Sequence, residues 1–314
     1  MEYVIGSSVS TDAVNLPDKS SISGILGGAG IYALAGIKLW DDNVAIASGI
    51  GPDYLSRHQR WYTDNCIDTH GLVCRGSVTP VTTITYYENG DRLDQPNVGL
   101  EEFRRLDPTL DEIKRCCDER TRGIYVFKHW DKDFFDGLAE MKERCSFRLM
   151  WEISEDAAIP ENLRDIEKYL PYIDVFSINQ KEAGQLYSGL ETVKAGMKLA
   201  RSSGGWVYLR RGKNGAYLFA NQQCYVCPSL NGISVVDTTG AGNSSSAAVL
   251  YAYCENIPEP MAAAMGAVSA AYCISQYGPP KYFTPFIRNK ANKSAVVLNS
   301  QVKLWEELDG KAKA

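Results

Sequence analysis

From residue 122 to residue 211, short apolar runs alternate with helical segments, and this rhythm leaves few folds open. RGIYVFKHW (122–130), FRLMWEIS (147–154), IDVFSIN (173–179) and GWVYLRR (205–211) read as strands. Between them lie DKDFFDGLAEMKERC (131–145), acidic at its start and basic at its end, and PENLRDIEKYL (160–170), with Pro160 suited to a first turn. QKEAGQLYSGL and ETVKAGMKLARSS follow as helical segments. Alternation at these lengths implies right-handed βαβ units and a parallel sheet covered on both faces.

Two stretches break the rhythm. Residues 12–26 and 78–98 are β-rich with no intervening helix, and the second carries an Asn-Gly pair in ENGD (88–91), a hairpin signal. We read them as a small β lid beside the large sheet; the simpler alternative is an edge hairpin. After residue 212 come two short strands, GAYLFA and QCYVCP, then a strand running into VVDTTGAGN, then two helices. The expected body spans residues 1–290. Residues 291–314 are expected to form one polar surface helix and a frayed tail.

Composition narrows the function classes. The chain has 314 residues, 45% hydrophobic and 23% charged, which describes an ordinary globular protein. A net charge of -5 and a pI near 5.4 argue against a nucleic-acid partner, which needs a basic stripe. No apolar run reaches the roughly 18 residues of a membrane span. The nine cysteines are irregularly spaced, and no leader is recognisable before the first strand, EYVIG, so a cytoplasmic location with reduced thiols is expected. Cys224 and Cys227 form a lone C-x-x-C that no second pair completes. They read as strand residues near a hairpin.

Four short stretches could carry chemistry. In VVDTTGAGNSSS (235–246), Gly240, Ala241 and Gly242 precede a helix. Small residues there let backbone N–H groups converge on an anion, and the helix dipole adds positive potential. Asn243 equally suits a helix N-cap. Asn179 and Glu182, three apart at a strand end, could hold water on Mg²⁺ near phosphates, or form a capping box. Gly27 and Gly28 open a helix and could act as a hinge. GAGIYALAG superficially suits a dinucleotide loop, but no acidic partner follows about 20 residues later. Asp12, after the first strand, could accept hydrogen bonds from a polyol or be a solvated turn carboxylate.

In their order along the chain these elements resemble the PfkB carbohydrate kinase family, also called ribokinase-like. The elements are Asp12, Gly27-Gly28, GIGPD (49–53), Asn179-x-x-Glu182, RRGKNG (210–215) and DTTGAG from Asp237. The resemblance covers roughly residues 2–285. It implies an α/β fold with a doubly wound, mostly parallel sheet and a β lid. It also implies ATP and Mg²⁺ as cosubstrates and a sugar, nucleoside or related polyol as acceptor. On that resemblance Gly240, Ala241 and Gly242 form the anion hole, and Asn179 and Glu182 organise Mg²⁺ through water. Arg210, Arg211, Gly212, Gly215 and Asp237 lie on the nucleotide side. Asp12, Gly27, Gly28 and Tyr32 face the acceptor. Pairing of two lids would make a homodimer.

Two positions depart from the family pattern. The usual loop ends in an Asp that takes the acceptor's proton, whereas this chain has Asn243. An amide can position a hydroxyl but cannot hold its proton, and loss of a positioned base commonly costs about 10²–10⁴ in rate. Tyr32 stands where sugar kinases carry an acceptor-binding Asn. Weak or altered phosphotransfer is therefore the first expectation. The alternatives are another reaction on a sugar- or nucleoside-like ligand, such as hydrolysis or elimination, and a ligand-binding pseudokinase.

Overall fold

The computed structural model describes residues 1–88 and 92–305. In chain order the first strands are β1 (Tyr3–Ser7), β2 (Ser10–Asn15), β3 (Ser21–Gly27), β4 (Val44–Ile50), β5 (Leu72–Cys74), β6 (Val81–Tyr86) and β7 (Arg92–Pro96). They are followed by β8 (Gly123–Phe127), β9 (Arg148–Glu152), β10 (Val175–Asn179), β11 (Trp206–Arg210), β12 (Ala216–Ala220), β13 (Gln223–Cys227) and β14 (Lys303–Leu304). The large sheet has the order β14-β13-β12-β11-β10-β9-β8-β1-β4-β5. It is parallel from β11 through β5 and antiparallel from β11 to β14. This is the α/β, mostly parallel sheet that the alternating segments imply.

The parallel strands are apolar on both faces, as a sheet covered on both sides requires. Side chains alternate between two cores. Tyr3, Ile5, Tyr125 and Met150 pack with Ile31, Leu34 and Leu250 on one face. Val4, Ile124, Leu149 and Trp151 pack with Ile113, Phe135 and Ile166 on the other. On the first face the helices Ala29–Lys38 and Ala241–Cys254 touch closely at Gly36, where a β-carbon would overlap the backbone of Ser244.

The two β-rich excursions form a separate four-stranded sheet of order β3-β2-β6-β7. Its centre is the parallel pair β2 and β6, flanked by antiparallel β3 and β7. The Asn-Gly turn expected between β6 and β7 lies outside the described residues. Cys224 and Cys227 both lie in β13, one in each core.

Two sequence expectations are corrected. Val235 and Val236 form no strand; they are 59% and 38% exposed, and Val236 N–H bonds the carbonyl of Ile274. The edge of β13 that a strand there might have joined is taken by β14. The C-terminal segment is not one helix either. The helix spans Pro285–Asn299, with Thr284 capping it, and buries Ala291, Ala295 and Leu298. It stops before Lys303 and Leu304, which pair with β13.

Candidate active site

β1 has β4 on one side and β8 on the other, and the chain builds the sheet outward from it in both directions. In open α/β sheets, ligands bind beyond the strand C-terminal ends at such a reversal. Here those ends carry polar residues: Ser8 and Ser10 after β1, Lys128 and His129 after β8, Glu152 on β9, Asn179 on β10 and Arg210 on β11. A cavity of about 630 Å³ opens at this edge. Asp12, Gly28, Tyr32, Gly240 and Asn243 line it together with the lid residues Thr82, Arg92 and Asp94.

One wall is the start of the helix Ala241–Cys254. Gly240 is its N-cap, with φ 75°, a left-handed conformation that glycine adopts without steric cost. No side chain caps this helix, and its first turn holds no acidic residue. Ala241 N–H donates to the Thr238 carbonyl at 3.4 Å, which leaves the N–H groups of Gly242 and Asn243 and the helix dipole available to an anion. The ring of buried Tyr32 lies directly beneath Gly240, where any β-carbon would overlap it.

Asp237 braces the loop. Its Oδ1 accepts from Thr239 N–H at 2.8 Å and from the Tyr86 hydroxyl at 2.6 Å. Arg92 Nη1 donates to Thr239 Oγ1 at 2.6 Å. Both Tyr86 and Arg92 belong to the small sheet, so that sheet is fastened to the glycine loop across the cavity.

Asp12 is no turn carboxylate. It lies in β2, 4% exposed, and accepts from Ser10 Oγ at 2.9 Å. Burial, with the charges of Asp237 and Asp94 adding to it and the Ser10 bond opposing, pushes its pKa up to about 7. Gly27 makes room for this carboxylate, since a β-carbon there would overlap it. Gly28, with φ 93°, packs on the backbone of Val9 and Ser10.

Asn243 is held from behind. Its Nδ2 donates to Glu152 Oε1 at 3.1 Å and to the Tyr125 hydroxyl at 3.2 Å. Tyr125 donates to Glu152 Oε2 at 2.8 Å. Arg210 Nη1 stands 2.9 Å from Glu152 Oε1, and Nη2 stands 3.6 Å from Glu182 Oε2. The Arg210 side chain thus turns inward, because two buried carboxylates draw it in. Burial opposes the Arg210 charge, but Glu152 and Glu182 outweigh it and raise its pKa. A β-carbon on Gly242 would overlap Arg210 Nη1, so the guanidinium lies against the first turn of the helix.

Asn179 and Glu182 form a reciprocal capping box: Asn179 Oδ1 accepts from Glu182 N–H at 2.9 Å, and Glu182 Oε2 accepts from Asn179 N–H at 2.8 Å. Burial raises the Glu182 pKa against the lowering effect of Arg210. Among the described residues no group of three or more His, Cys, Asp or Glu could hold a metal alone. Glu182 Oε1 has no partner among them, and one carboxylate fits Mg²⁺ held largely by phosphates and water. Arg211, Gly212 and Gly215 form an outward turn after β11, with Gly212 and Gly215 at φ 56° and 81°.

Local patterns missed several residues of this region. Tyr125, Glu152, Tyr86, Arg92 and the His129–Asp107 pair, 2.9 Å apart, were not singled out. The Asp107 hydrogen bond raises the His129 pKa against burial. The one available signal is Glu152 itself, a charge at the end of the apolar run LMW.

The pfkB family carbohydrate kinase model matches residues 3–282. The chain belongs to this family. An uncharacterized protein of Schizosaccharomyces pombe is 28% identical over 321 residues, covering 90% of this chain and 86% of its own length. The Burkholderia thailandensis nucleoside kinase in complex with inosine superposes with a TM-score of 0.72 at 14% identity, over 93% of this chain and 96% of its own. The Arabidopsis thaliana ribokinase complexed with ribose and ATP gives 0.72 at 16%, over 93% and 98%. The pfkB fold thus accounts for the large sheet. Among the described residues no helix is long and apolar enough to cross a membrane.

Proposed function

We propose that the chain transfers the γ-phosphoryl group of ATP to a hydroxyl of an uncharged sugar or nucleoside. The observation that carries this reading is the uncapped start of the helix Ala241–Cys254, which meets the cavity at Gly240 and Asn243. ATP, when bound, supplies the phosphoryl group, and Mg²⁺ screens its charge beside Glu182. The amides of Gly242 and Asn243 stabilise negative charge on the group in transfer, and Ala241, whose N–H is held by the Thr238 carbonyl, shapes the turn that presents them. Asn243 Oδ1 accepts a hydrogen bond from the acceptor hydroxyl and fixes its direction; as the new O–P bond forms and the bond from the γ-phosphorus to ADP breaks, the hydroxyl proton passes to a phosphoryl oxygen or to water, since the amide cannot take it. Asp12, when ionised, accepts from other hydroxyls of the same acceptor. Phosphoryl transfer depends chiefly on positioning and electrostatics, so an amide at this point slows the reaction without abolishing it. Gly212 and Gly215 shape the turn after β11 that is taken to face the nucleotide.

The acceptor's charge follows from the lining. Asp94, Asp107, Glu155 and Asp156 are paired with Arg92, His129, Lys181 and Arg104, whereas Asp12 has no ion-pair partner among the described residues. A phosphate or carboxylate set against Asp12 would meet repulsion there. Thermal-shift and ADP-release measurements with MgATP should favour inosine or ribose over ribose 5-phosphate; preference for the phosphorylated compound would overturn this reading. Asn243 supports a second reading, a binder without transfer. In that case the same ligands raise Tm but no ADP forms. We also infer a homodimer through the small sheet, whose strand β7 is exposed along its length; sedimentation tests it.

A further inference from the structure

We propose that Glu152 is a positioning residue of the transfer site and that residue 243 is an amide because Glu152 stands behind it. The inference rests on the phosphotransfer reading above. Glu152 is 2% exposed and does not line the cavity, so it acts through its neighbours. Two hydrogen-bond donors and one cation converge on it: the Tyr125 hydroxyl and Asn243 Nδ2 donate at 2.8 and 3.1 Å, and Arg210 Nη1 forms an ion pair at 2.9 Å.

The first consequence is the direction of the amide. Both acceptors behind Asn243, Glu152 and the Tyr125 oxygen, take Nδ2. Oδ1 has no partner among the described residues, and Asn243 lines the cavity. Glu152 thereby aims a hydrogen-bond acceptor at the ligand. The second is Arg210. A guanidinium pressed against Gly242 sits at the positive end of a helix dipole, an unfavourable place for a cation unless carboxylates anchor it. Glu152 and Glu182 do so, and they hold a positive charge beside the turn that would bind the phosphoryl group.

The third consequence concerns the missing carboxylate. Glu152, Glu182 and Arg210 together carry one net negative charge. A carboxylate at position 243 would bring a second, about 3 Å from Glu152, where like charges strongly disfavour each other. Asn243 is the isosteric side chain that replaces repulsion with a hydrogen bond. The amide and Glu152 therefore form one unit, and restoring the family's usual Asp alone breaks that unit.

A double-variant cycle on the full chain tests this with Asn243→Asp, Glu152→Gln and both together. The readouts are Tm and ADP formed from MgATP, with inosine and ribose as probes. Asn243→Asp alone is expected to lower Tm by roughly 5 °C or more without raising turnover. Glu152→Gln alone should lower kcat roughly tenfold to a hundredfold while KM for the probe stays within about twofold. The double variant, which again keeps a single carboxylate in the pair, should regain Tm and most of kcat. Strictly additive effects on Tm overturn the proposal, as does an Asn243→Asp protein that melts with the wild type and turns over faster. If no form makes ADP with any probe, the phosphotransfer reading fails, and the Tm cycle still decides the coupling.

Discussion

Asp12 shows how burial resets a side chain whose sequence context suggested a solvated turn. The folded protein holds its proton up to about pH 7, whereas the unfolded chain releases it near the ordinary value of 3.8. Between those values the folded state binds more protons, so Asp12 makes stability fall as pH rises through the window. Acceptor affinity should move the opposite way, because the ionised carboxylate is the better hydroxyl acceptor. Denaturation and acceptor-binding titrations between pH 5 and pH 8 check both slopes, and Asp12→Asn should flatten both and weaken acceptor binding roughly tenfold. Gly242 makes a similar point through space rather than charge. Gly242→Ala drives a methyl group into Arg210 Nη1, and turnover should fall by roughly tenfold or more because the guanidinium must leave its place.

Between elements, the decisive contacts are close approaches. The helices Ala29–Lys38 and Ala241–Cys254 meet where Gly36 touches the Ser244 backbone. One helix carries Tyr32 and the other begins after Gly240, and both residues line the cavity. Gly36→Ala should cost about 1–3 kcal/mol of stability, measured by denaturant unfolding, because backbone cannot yield as a side-chain tip can. The small sheet is tied to the loop by Tyr86 and Asp237, and a hydrogen bond to a carboxylate is worth about 1.5–3 kcal/mol. Tyr86→Phe should therefore raise acceptor KM roughly tenfold and lower Tm by a few degrees, as initial-rate kinetics and a melting scan would report.

At the scale of the whole molecule, the C-terminal segment closes an edge. β14 covers the outer side of β13, and an uncovered strand edge is a template for pairing with other chains. Deleting residues 300–314 should lower Tm by a few degrees and raise light scattering on heating. Val235 and Val236 resemble a strand because two β-branched residues precede an Asp, but the neighbouring edge of β13 is taken by β14.

The alternating segments alone determined the large sheet, because strand and helix periods are local and the connection rule is chiral. The glycine loop and the capping box were legible for the same reason, each being written in residues close together in sequence; the strands of the small sheet were legible locally, but their pairing across about 70 residues was not. Sequence spacing could not decide what Asn179 and Glu182 do, since a cap and a water-held metal site share it. It also could not reveal the unit behind Asn243. Tyr125, Glu152, Arg210 and Asn243 come from three strands and a helix far apart in the chain, and only the stacking of those strand ends brings their charges together. What the amide at position 243 is for was therefore decided by tertiary structure, because a buried carboxylate acts through distance, and distance between remote segments is not written in their order.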